Sequence, residues 1–344
     1  MNLTAPPSIT VLMVTYNAGT YIYESINSVL NQTFTDFELL IYNDGSTDNT
    51  QDIVNSINDP RIKYIHNDTN KGLFCARTAA LNASLGRYVA ILDSDDIAMP
   101  GRLSIQYDFM ERNPAVALCG SNAVVIDSDG KIIDKAVNKR KLKKANFKAE
   151  LFFTNIFVNS SAIFRKDIAL QVGGYREMAP VEDYDLFVRI AEKHAIYVFN
   201  QAFVYYRRHD NNISTRQSKV GDSFLIEIKR NQLDTLDVVG NKYSRFFFSL
   251  LHWDYKDIGV NECLKFLVEL KNKNRQLMLF PIAFFERRLF LLWYTFILNV
   301  VSKKEALSYL LNSDLFSLSH LNVSQAKKIL KLYFKKVVRE SIKK

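Results

Sequence analysis

Residues 88–96 read YVAILDSDD, an apolar run of β-forming residues followed at once by three carboxylates. A short apolar run bounded by polar residues is typical of a buried strand. On an extended segment Asp93 and Asp95 would point to the same side, because side chains alternate along a strand. Two converging carboxylates suit Mg²⁺ or Mn²⁺, which also bind phosphate oxygens. The alternative is a helix N-cap, since Pro100 and a predicted helix follow.

Three strand–helix units precede this stretch. The pattern predicts strands at 9–15, 37–43 and 61–66 and helices at 19–32, 48–57 and 73–85, with Ser46 or Thr47 able to cap the second helix. Strands separated by helices indicate βαβ units and a mostly parallel sheet. Ligands bind beyond the carboxyl ends of such strands, so the residues that follow each strand are the candidates for a site.

The pattern changes after about residue 114. A hairpin is predicted around Asp127-Ser128-Asp129-Gly130, between strands 116–126 and 131–133. An amphipathic stretch near 145–154, a strand at 161–164, a helix at 182–194 and a strand at 196–206 follow, and the signals beyond 221 are helical. We therefore expect an α/β domain over 1–220 and a helical region over 221–344.

The composition narrows the class of protein. A chain of 344 residues suggests two domains, and 48% hydrophobic with 24% charged residues excludes a disordered or collagen-like chain. The three cysteines include no CxxC pair, which argues against a disulfide framework or a cysteine zinc site and fits a reducing compartment. The first residues lack the basic and apolar regions of a signal peptide, so secretion by that route is not expected.

Positive charge is concentrated near the end of the chain. Residues 221–344 hold 21 of the 45 basic and 12 of the 36 acidic residues, which leaves the rest of the chain neutral. The segment 324–344 has the pattern of a basic amphipathic helix, which either lies on an anionic membrane surface or docks on the protein with a solvated basic face. Nucleic-acid binding is disfavoured because no zinc-finger or RNP motif is present.

One apolar run, LFLLWYTFILNVV at 289–301, needs to be distinguished from a membrane span. A spanning helix needs about 20 apolar residues, so this run is too short. We expect a buried core helix, with shallow membrane insertion as the alternative, and no transmembrane segment.

Six motifs occur in a fixed order along the first two-thirds of the chain. They are VTYN at 14–17, NDGSTD at 43–48, NKG at 70–72, DSDD with Pro100, EDYDLFVR at 182–189 and YRRH at 206–209. In this combination the chain resembles the inverting family 2 glycosyltransferases of bacterial polysaccharide synthesis. The resemblance covers about residues 8–215 and implies the GT-A fold, a Rossmann-like, mostly parallel sheet with helices on both faces. It also implies a nucleotide-binding half over 1–113 and an acceptor-binding half over 114–220.

In this family the D-x-D acids hold a divalent metal that bridges the phosphates of a nucleotide-sugar. The resemblance implies that Asp95 is a ligand of Mn²⁺ or Mg²⁺, that His209 completes the metal site, and that Asp93 and Ser94 contact the nucleotide-sugar. Such a metal neutralises the charge that develops on the leaving diphosphate. A lone histidine such as His209 is otherwise more often structural.

Further nucleotide contacts also follow from the resemblance. Asp44 matches the acid that binds the uracil edge, which favours UDP, and Tyr16 between Thr15 and Asn17 either stacks on the base or packs in the fold. Arg77 lies in Ala76-Arg77-Thr78 where the family shows A-R-N, and either contacts the nucleotide or forms an ion pair. Arg208 can pair with phosphate.

The second centre is Glu182-Asp183. By resemblance Asp183 is the general base that takes the proton of an acceptor hydroxyl, in a single displacement that inverts the anomeric carbon. For Glu182 we expect contact with the acceptor or the donor sugar rather than catalysis. The alternative for both acids is a favourable interaction with the positive end of a helix.

These observations favour a metal-dependent inverting glycosyltransferase at the cytoplasmic face of the membrane, with a saccharide or lipid-linked acceptor in surface polysaccharide synthesis. One alternative is a nucleotidyltransferase on a similar sheet, although VTYN is not the Gly-rich loop that such enzymes place after the first strand. Another is a binding protein that has lost catalysis, against which the retained Asp44, Asp93, Asp95 and Asp183 argue.

Overall fold

The computed structural model describes residues 6–135, 137, 142–210, 212 and 218–331. The chain forms two compact units, of which the first ends at Phe224 and the second begins at Leu225. All three cysteines are free thiols, with Cys119 and Cys263 buried.

The first unit alternates strands and helices. Its elements are β1 (Ile9–Thr15), α1 (Ile22–Leu30), β2 (Phe37–Asn43), α2 (Thr50–Ser56), β3 (Ile62–His66), α3 (Leu73–Ala83), β4 (Tyr88–Ile91), β5 (Ile97–Ala98), α4 (Arg102–Arg112), β6 (Val116–Ile126), β7 (Ile132–Asp134), α5 (Phe147–Phe153), β8 (Ile163–Arg165), α6 (Lys166–Gln171), α7 (Glu182–Lys193) and β9 (Ala195–Arg207). Short 3₁₀ turns lie at Lys144–Asn146 and Asn159–Ser161.

The strands form one sheet in the order β3-β2-β1-β4-β8-β6-β9-β5, with β7 paired to β6. The pairs β1–β2, β2–β3, β1–β4 and β6–β9 are parallel, and the pairs β4–β8, β6–β8, β5–β9 and β6–β7 are antiparallel. The α/β class is therefore confirmed, but the sheet is mixed. The expected parallel pairing holds for the first four strands, where helical crossovers join the strands; the later part includes the predicted hairpin, which is antiparallel by construction.

The sheet is covered by helices on both faces. Ile9, Val11 and Met13 of β1 share one buried cluster with Ile22 and Ile26 of α1. The even-numbered residues of the same strands point to the opposite face, where α3 contacts β1 and β2. Burying each such side chain stabilises the fold by roughly 1.5–3 kcal/mol, which is why these strands consist of almost continuous apolar runs.

The predicted cap of α2 is wrong. The N–H of Thr50 donates to Asp48 Oδ1 over 3.0 Å, so the carboxylate of Asp48 satisfies the helix start. Ser46 and Thr47 are instead tied to the loop after β1: Ser46 Oγ accepts from the N–H of Asn17, and the N–H of Thr47 donates to Asn17 Oδ1.

The helical region begins with α8 (Ser218–Thr235) and continues through α9 (Gly240–Leu251), α10 (Val260–Leu277), α11 (Ile282–Val300) and α12 (Lys303–Leu311), followed by a 3₁₀ turn at Leu318–His320. Residues 289–300 of the apolar run lie in α11, where Leu289, Phe290, Trp293 and Phe296 are fully buried, so the expected core helix is confirmed. No helix among the described residues is long and apolar enough to cross a membrane. Of the predicted basic helix, residues 324–331 are helical and 332–344 lie outside the described residues.

Candidate active site

The ends of three parallel strands bring the candidate residues to one edge of the sheet. Thr15 is paired with Asn43, and Asn43 with His66, so β1, β2 and β3 end at the same level. The N–H of Asp44 donates to the carbonyl of Thr15 over 2.9 Å, which extends this register by one residue. On its other side β1 pairs in parallel with β4, with Leu12 opposite Ile91, so the loops after β1, β2 and β4 meet where sheets of this kind bind ligands.

The loop after β1 exposes one aromatic ring. The side chain of Thr15 is buried, and its Oγ1 has no hydrogen-bond partner among the described residues. Asn17 adopts a left-handed conformation with φ of 53°, which asparagine tolerates better than most residues. Between them Tyr16 is half exposed, so its ring is free to stack on a planar ligand.

Asp44 holds the N-K-G loop. Its carboxylate accepts the backbone N–H of Lys71 at 3.1 Å, the N–H of Gly72 at 2.8 Å and Asn67 Nδ2 at 2.9 Å. The side chain is buried, so these protein donors take the place of water. Because Gly72 immediately precedes α3, the carboxylate also fixes the start of the helix that carries Arg77.

The D-x-D segment is a turn, which corrects the assumption of an extended segment. The N–H of Asp96 donates to the carbonyl of Asp93 over 3.2 Å, and the two D-x-D carboxylates engage different groups. Asp93 accepts from Asn159 Nδ2 at 2.9 Å, from Ser160 Oγ at 3.1 Å and from Arg77 Nη2 at 3.2 Å. Asn159 and Ser160, which lie outside the six motifs, thus orient the first acid of the D-x-D segment.

The second acid meets the predicted histidine. Asp95 Oδ2 lies 2.9 Å from His209 Nε2 and 3.3 Å from Asn212 Nδ2. Both Asp95 and His209 are only partly buried. Among the described residues no three His, Cys, Asp or Glu side chains are grouped to hold a metal ion. A carboxylate oxygen beside an imidazole nitrogen nevertheless fits a cation that completes its coordination with waters and phosphate oxygens.

Asp96 and Arg207 support this pair from inside the protein. The buried Asp96 accepts the N–H of Arg207 at 2.7 Å, and burial together with the neighbouring Asp95 and Asp93 raises its pKa well above the usual value. The buried guanidinium of Arg207 donates to the carbonyl of Asp95 at 2.9 Å and pairs with Glu24 at 2.5 Å. Of the two neighbouring arginines, therefore, the exposed Arg208 is the one that can reach a ligand.

Arg77 joins the two centres predicted from the sequence. Its buried guanidinium pairs with the buried Glu182 at 2.9 Å and with the partly exposed Asp93 at 3.2 Å. Burial by itself would lower the pKa of Arg77, but the charges of Glu182 and Asp93 outweigh that effect and hold its pKa above the usual value. One cation thus fixes the D-x-D turn relative to the first turn of α7.

Asp183 lies at the start of α7 beside this ion pair. Its Oδ1 accepts the N–H of Tyr184 at 2.7 Å. Burial first, and then the adjacent charge of Glu182, raise the pKa of Asp183 to about 7, against the opposing effect of Arg77. Glu182 is itself buried, and its Oε2 has no hydrogen-bond partner within the described part of the chain. A carboxylate whose pKa lies near neutral pH is suited to accept a proton.

Two residues that matter here, Asn159 and Asn212, carried no usable signal in the sequence. Asn159 lies in a 3₁₀ turn, which has no periodic sequence pattern to predict it. Asn212 lies three residues after the last motif, and no motif includes it. Asp96 and Arg207 did stand within the quoted motifs. Residues 93–96 contain three acids, which is more than one metal ion needs from this segment. That excess could have identified Asp96 as a residue with a structural role.

Comparison with known proteins adds a family assignment to this geometry. A family model described as glycosyl transferase family 2 matches residues 10–173. The chain is 31% identical over 257 residues to the UDP-Glc:alpha-D-GlcNAc-diphosphoundecaprenol beta-1,3-glucosyltransferase WfgD of Escherichia coli, which covers 74% of this chain and 94% of that protein.

Two solved structures are similar in fold. TarS of S. aureus, residues 1–349 in complex with UDP-GlcNAc, superposes with a TM-score of 0.56 at 19% identity, over 90% of this chain and 88% of that one. The mannosyltransferase PcManGT from Pyrobaculum calidifontis, in complex with GDP-Man and Mn²⁺, superposes with a TM-score of 0.52 at 15% identity, over 97% and 88%. At these identities the likeness shows the fold, and it confirms the predicted GT-A architecture.

Proposed function

The chain belongs to glycosyl transferase family 2 and is a glycosyltransferase, and from that premise we propose that it is an inverting enzyme using a UDP-sugar and a divalent metal. In this proposal Asp183 is the general base toward the hydroxyl of a saccharide or lipid-linked acceptor. Residues 1–113 bind the donor, residues 114–220 bind the acceptor, and the region from 221 onward attaches the enzyme to a membrane.

The observation that carries the proposal is the ion-pair chain Asp93–Arg77–Glu182. It links a carboxylate of the donor motif to the turn that presents Asp183, whose pKa is raised to about 7. In a single displacement the acceptor hydroxyl attacks the anomeric carbon from the side opposite the leaving group. The enzyme therefore needs a proton acceptor on that side of the sugar. A rigid link between the two centres sets that separation.

On the donor side, the exposed Tyr16 ring stacks on the nucleotide base in this proposal. The imide N–H of uracil donates to Asp44 Oδ1. It replaces the hydrogen bond that Asn67 Nδ2 donates to that oxygen in the structure. Asp93 and Ser94 contact the rest of the nucleotide-sugar, and Arg208 pairs with phosphate.

Asp95 and His209 are the residues that would hold Mn²⁺ or Mg²⁺, since their donor atoms already lie 2.9 Å apart. A cation held there would supply positive charge to offset the negative charge that develops on the leaving diphosphate. Asp96 and Arg207 hold this side of the site in place. The side chain of Asp96 accepts the backbone N–H of Arg207, and the side chain of Arg207 donates to the backbone carbonyl of Asp95.

On the acceptor side, Asp183 takes the proton of the attacking hydroxyl. The hydroxyl oxygen forms the new bond to the anomeric carbon while the bond from that carbon to the diphosphate breaks, and the electron pair leaves with UDP. Glu182 raises the basicity of Asp183 and Arg77 limits it, so the base is poised near neutral pH. Attack opposite the leaving group inverts the anomeric configuration.

The acceptor is proposed from the relative in Escherichia coli, whose name gives a diphosphoundecaprenol-linked sugar as its acceptor. A lipid-linked acceptor places the enzyme at the cytoplasmic face of the membrane, in synthesis of a surface polysaccharide. The net charge of residues 221–344, with 21 basic against 12 acidic residues, suits an anionic surface, and the segment 324–344 has the strongest basic pattern.

A panel of nucleotide-sugars, incubated with the full chain and with Mn²⁺ or a chelator, tests this function by the diphosphate released. We expect release of UDP from one UDP-sugar, only with metal, and faster with a lipid-linked saccharide. Asp257→Asn, a change at an exposed residue between α9 and α10 and outside both halves, is the matched control and should retain full activity. Release from GDP- or CMP-sugars alone, or release of pyrophosphate from a nucleoside triphosphate, would contradict the assignment.

A further inference from the structure

The aromatic ring of Tyr21 packs against the imidazole of His209. Tyr21 immediately precedes α1 and is far from His209 in sequence, yet the two ring centroids lie 5.0 Å apart, with an angle of 34° between the ring planes. Aromatic rings attract each other at centroid separations of about 4.5–7 Å. Tyr21 belongs to none of the six motifs, so this contact connects a residue outside them to the pair formed by Asp95 and His209.

The contact bears on where the imidazole nitrogens point. The torsion that turns a histidine ring about its bond to the β-carbon has only broad preferences, so a partly exposed imidazole needs packing to hold one angle. In the structure the ring of His209 is turned so that Nε2 lies 2.9 Å from Asp95 Oδ2. Rotation away from this angle would separate the two donor atoms, and the ring of Tyr21 takes up space that the rotated imidazole would need.

Tyr21 is itself held in place by its side chain and by its backbone. The guanidinium carbon of the buried Arg207 lies 4.7 Å from the centre of the Tyr21 ring, within the range of a cation–π contact. The backbone N–H of Tyr21 donates to the carbonyl of Ala18 over 3.0 Å, and the carbonyl of Tyr21 accepts the N–H of Ser25 over 3.2 Å. The imidazole therefore packs on a ring whose own position is fixed.

The first turn of α1 is anchored to the turn that carries Asp95. Ser25, which is fully buried, donates from Oγ to the carbonyl of Ser94 over 2.9 Å. Arg207, whose guanidinium contacts the ring of Tyr21, donates from Nε to the carbonyl of Asp95 over 2.9 Å. The same structural unit thus packs on the histidine and holds the backbone beside the acid, so it fixes both members of the pair relative to each other.

We propose that Tyr21 is a positioning residue for the metal site: its ring holds the imidazole of His209 at the angle at which Nε2 and Asp95 Oδ2 can bind one cation. Tyr21 acts through His209 and supplies no ligand atom. The inference rests on the metal site of the proposed function and adds a residue to it. Because the contact is made by the aromatic ring, phenylalanine should serve in place of Tyr21 and an aliphatic side chain should not.

Binding of Mn²⁺ to the full chain in the presence of UDP tests the proposal, with free Mn²⁺ measured by electron paramagnetic resonance. We expect Tyr21→Leu to weaken Mn²⁺ binding by about 10- to 100-fold, the usual cost of losing a residue that orients a metal ligand. Tyr21→Phe should bind Mn²⁺ as the unchanged protein does. The matched control is Tyr23→Leu, which replaces a tyrosine of the same helix that is 58% exposed and should leave Mn²⁺ binding unchanged.

A double-mutant cycle separates positioning from a general loss of packing. If Tyr21 acts through His209, adding Tyr21→Leu to His209→Ala should cause no further loss of Mn²⁺ affinity. A further loss as large as that of Tyr21→Leu alone would overturn the proposal, and so would unchanged Mn²⁺ affinity in Tyr21→Leu. Weaker binding of UDP to Tyr21→Leu in the absence of metal would make Tyr21 a nucleotide contact and would also overturn it.

A measurement on the metal-free protein keeps this inference separate from the metal site itself. With ¹³C-labelled histidine, the ring signal of His209 is identified by its absence in His209→Ala, and a nuclear Overhauser effect should connect it to the ring of Tyr21. The signal should shift in Tyr21→Leu and stay in place in Tyr21→Phe. Absence of the Overhauser effect would overturn the proposal. If the effect is present but the unchanged protein binds no Mn²⁺, the metal site of the proposed function fails, while the orienting contact of Tyr21 stands.

Discussion

Replacing Glu182 by glutamine should shift the acid limb of the pH–rate profile toward lower pH. In the folded protein burial and the charge of Glu182 raise the pKa of Asp183 to about 7, and Arg77 opposes them. Glutamine removes the like charge and also frees the Arg77 guanidinium from its 2.9 Å ion pair. Both changes favour the ionised form of Asp183, so they act in the same direction.

The size of the shift follows from the interaction that is lost. A like charge close to a buried carboxylate is worth on the order of one pKa unit, or about 1.4 kcal/mol. With a pKa near 7 about one-tenth of the base is ionised at pH 6, and with a pKa near 6 about one-half is ionised, so relative activity at pH 6 should rise about fivefold. At pH 8 the base is ionised in both proteins, and the ratio should return to a constant.

The assay is kcat/KM for the donor between pH 5 and 9, normalised to each protein's plateau, because this parameter reports the free enzyme. Arg77→Gln should move the limb in the opposite direction, since a positive charge is lost. Asp185→Asn is the matched control: Asp185 lies on the same helix but is bonded to Arg189 at 2.5 Å, so its loss should leave the limb in place. A limb that stays in place or moves to higher pH in Glu182→Gln would refute the reasoning.

Three further outcomes are expected. Asp183→Asn should raise the free energy of unfolding, because the raised pKa of Asp183 makes its ionisation unfavourable in the folded state. The gain should grow from pH 4 to pH 7 and stay constant above pH 7, at about 4 kcal/mol at most. Denaturant unfolding at a series of pH values measures it. Arg77→Met should lower the free energy of unfolding by about 3–5 kcal/mol, since it leaves the buried carboxylate of Glu182 without its cation; denaturant unfolding measures it, and a stability equal to that of the unchanged protein would contradict this account. Asp44→Ala should cost about 1–3 kcal/mol of stability and weaken UDP binding measured by calorimetry, because the N–H groups of Lys71 and Gly72 lose their acceptor; unchanged UDP affinity would remove Asp44 from the nucleotide site.

The sheet strands were readable from the sequence because their apolar runs are long and bounded by polar turns. β1, β2 and β6 occupy the predicted residues, and the helices α1 to α3 are present but shorter at their ends. The combination of parallel and antiparallel strand pairs in one sheet could not be predicted from the sequence. Pairing depends on which strands meet across the fold, and β8 inserts between β4 and β6 far from both in sequence.

Within the site, the sequence indicated residue types and the strand ends on which they lie, but not how they are oriented. Asp93 and Asp95 were expected to converge on an extended segment, whereas a turn separates them and sends one to Arg77 and the other to His209. The partners of Arg77 lie in segments far apart in sequence. Such contacts arise from tertiary packing, which the periodicity and spacing of residues in the sequence do not reveal.

The measurement that tests the central claim most directly compares binding and turnover in Asp183→Asn. Calorimetry with UDP and Mn²⁺ reports the donor side, and UDP release in the presence of acceptor reports transfer. The account predicts nucleotide affinity within about twofold of the unchanged protein and a loss of transfer of about 10²-fold or more. Transfer at the original rate, or a loss of UDP affinity that matches the loss of transfer, would contradict it.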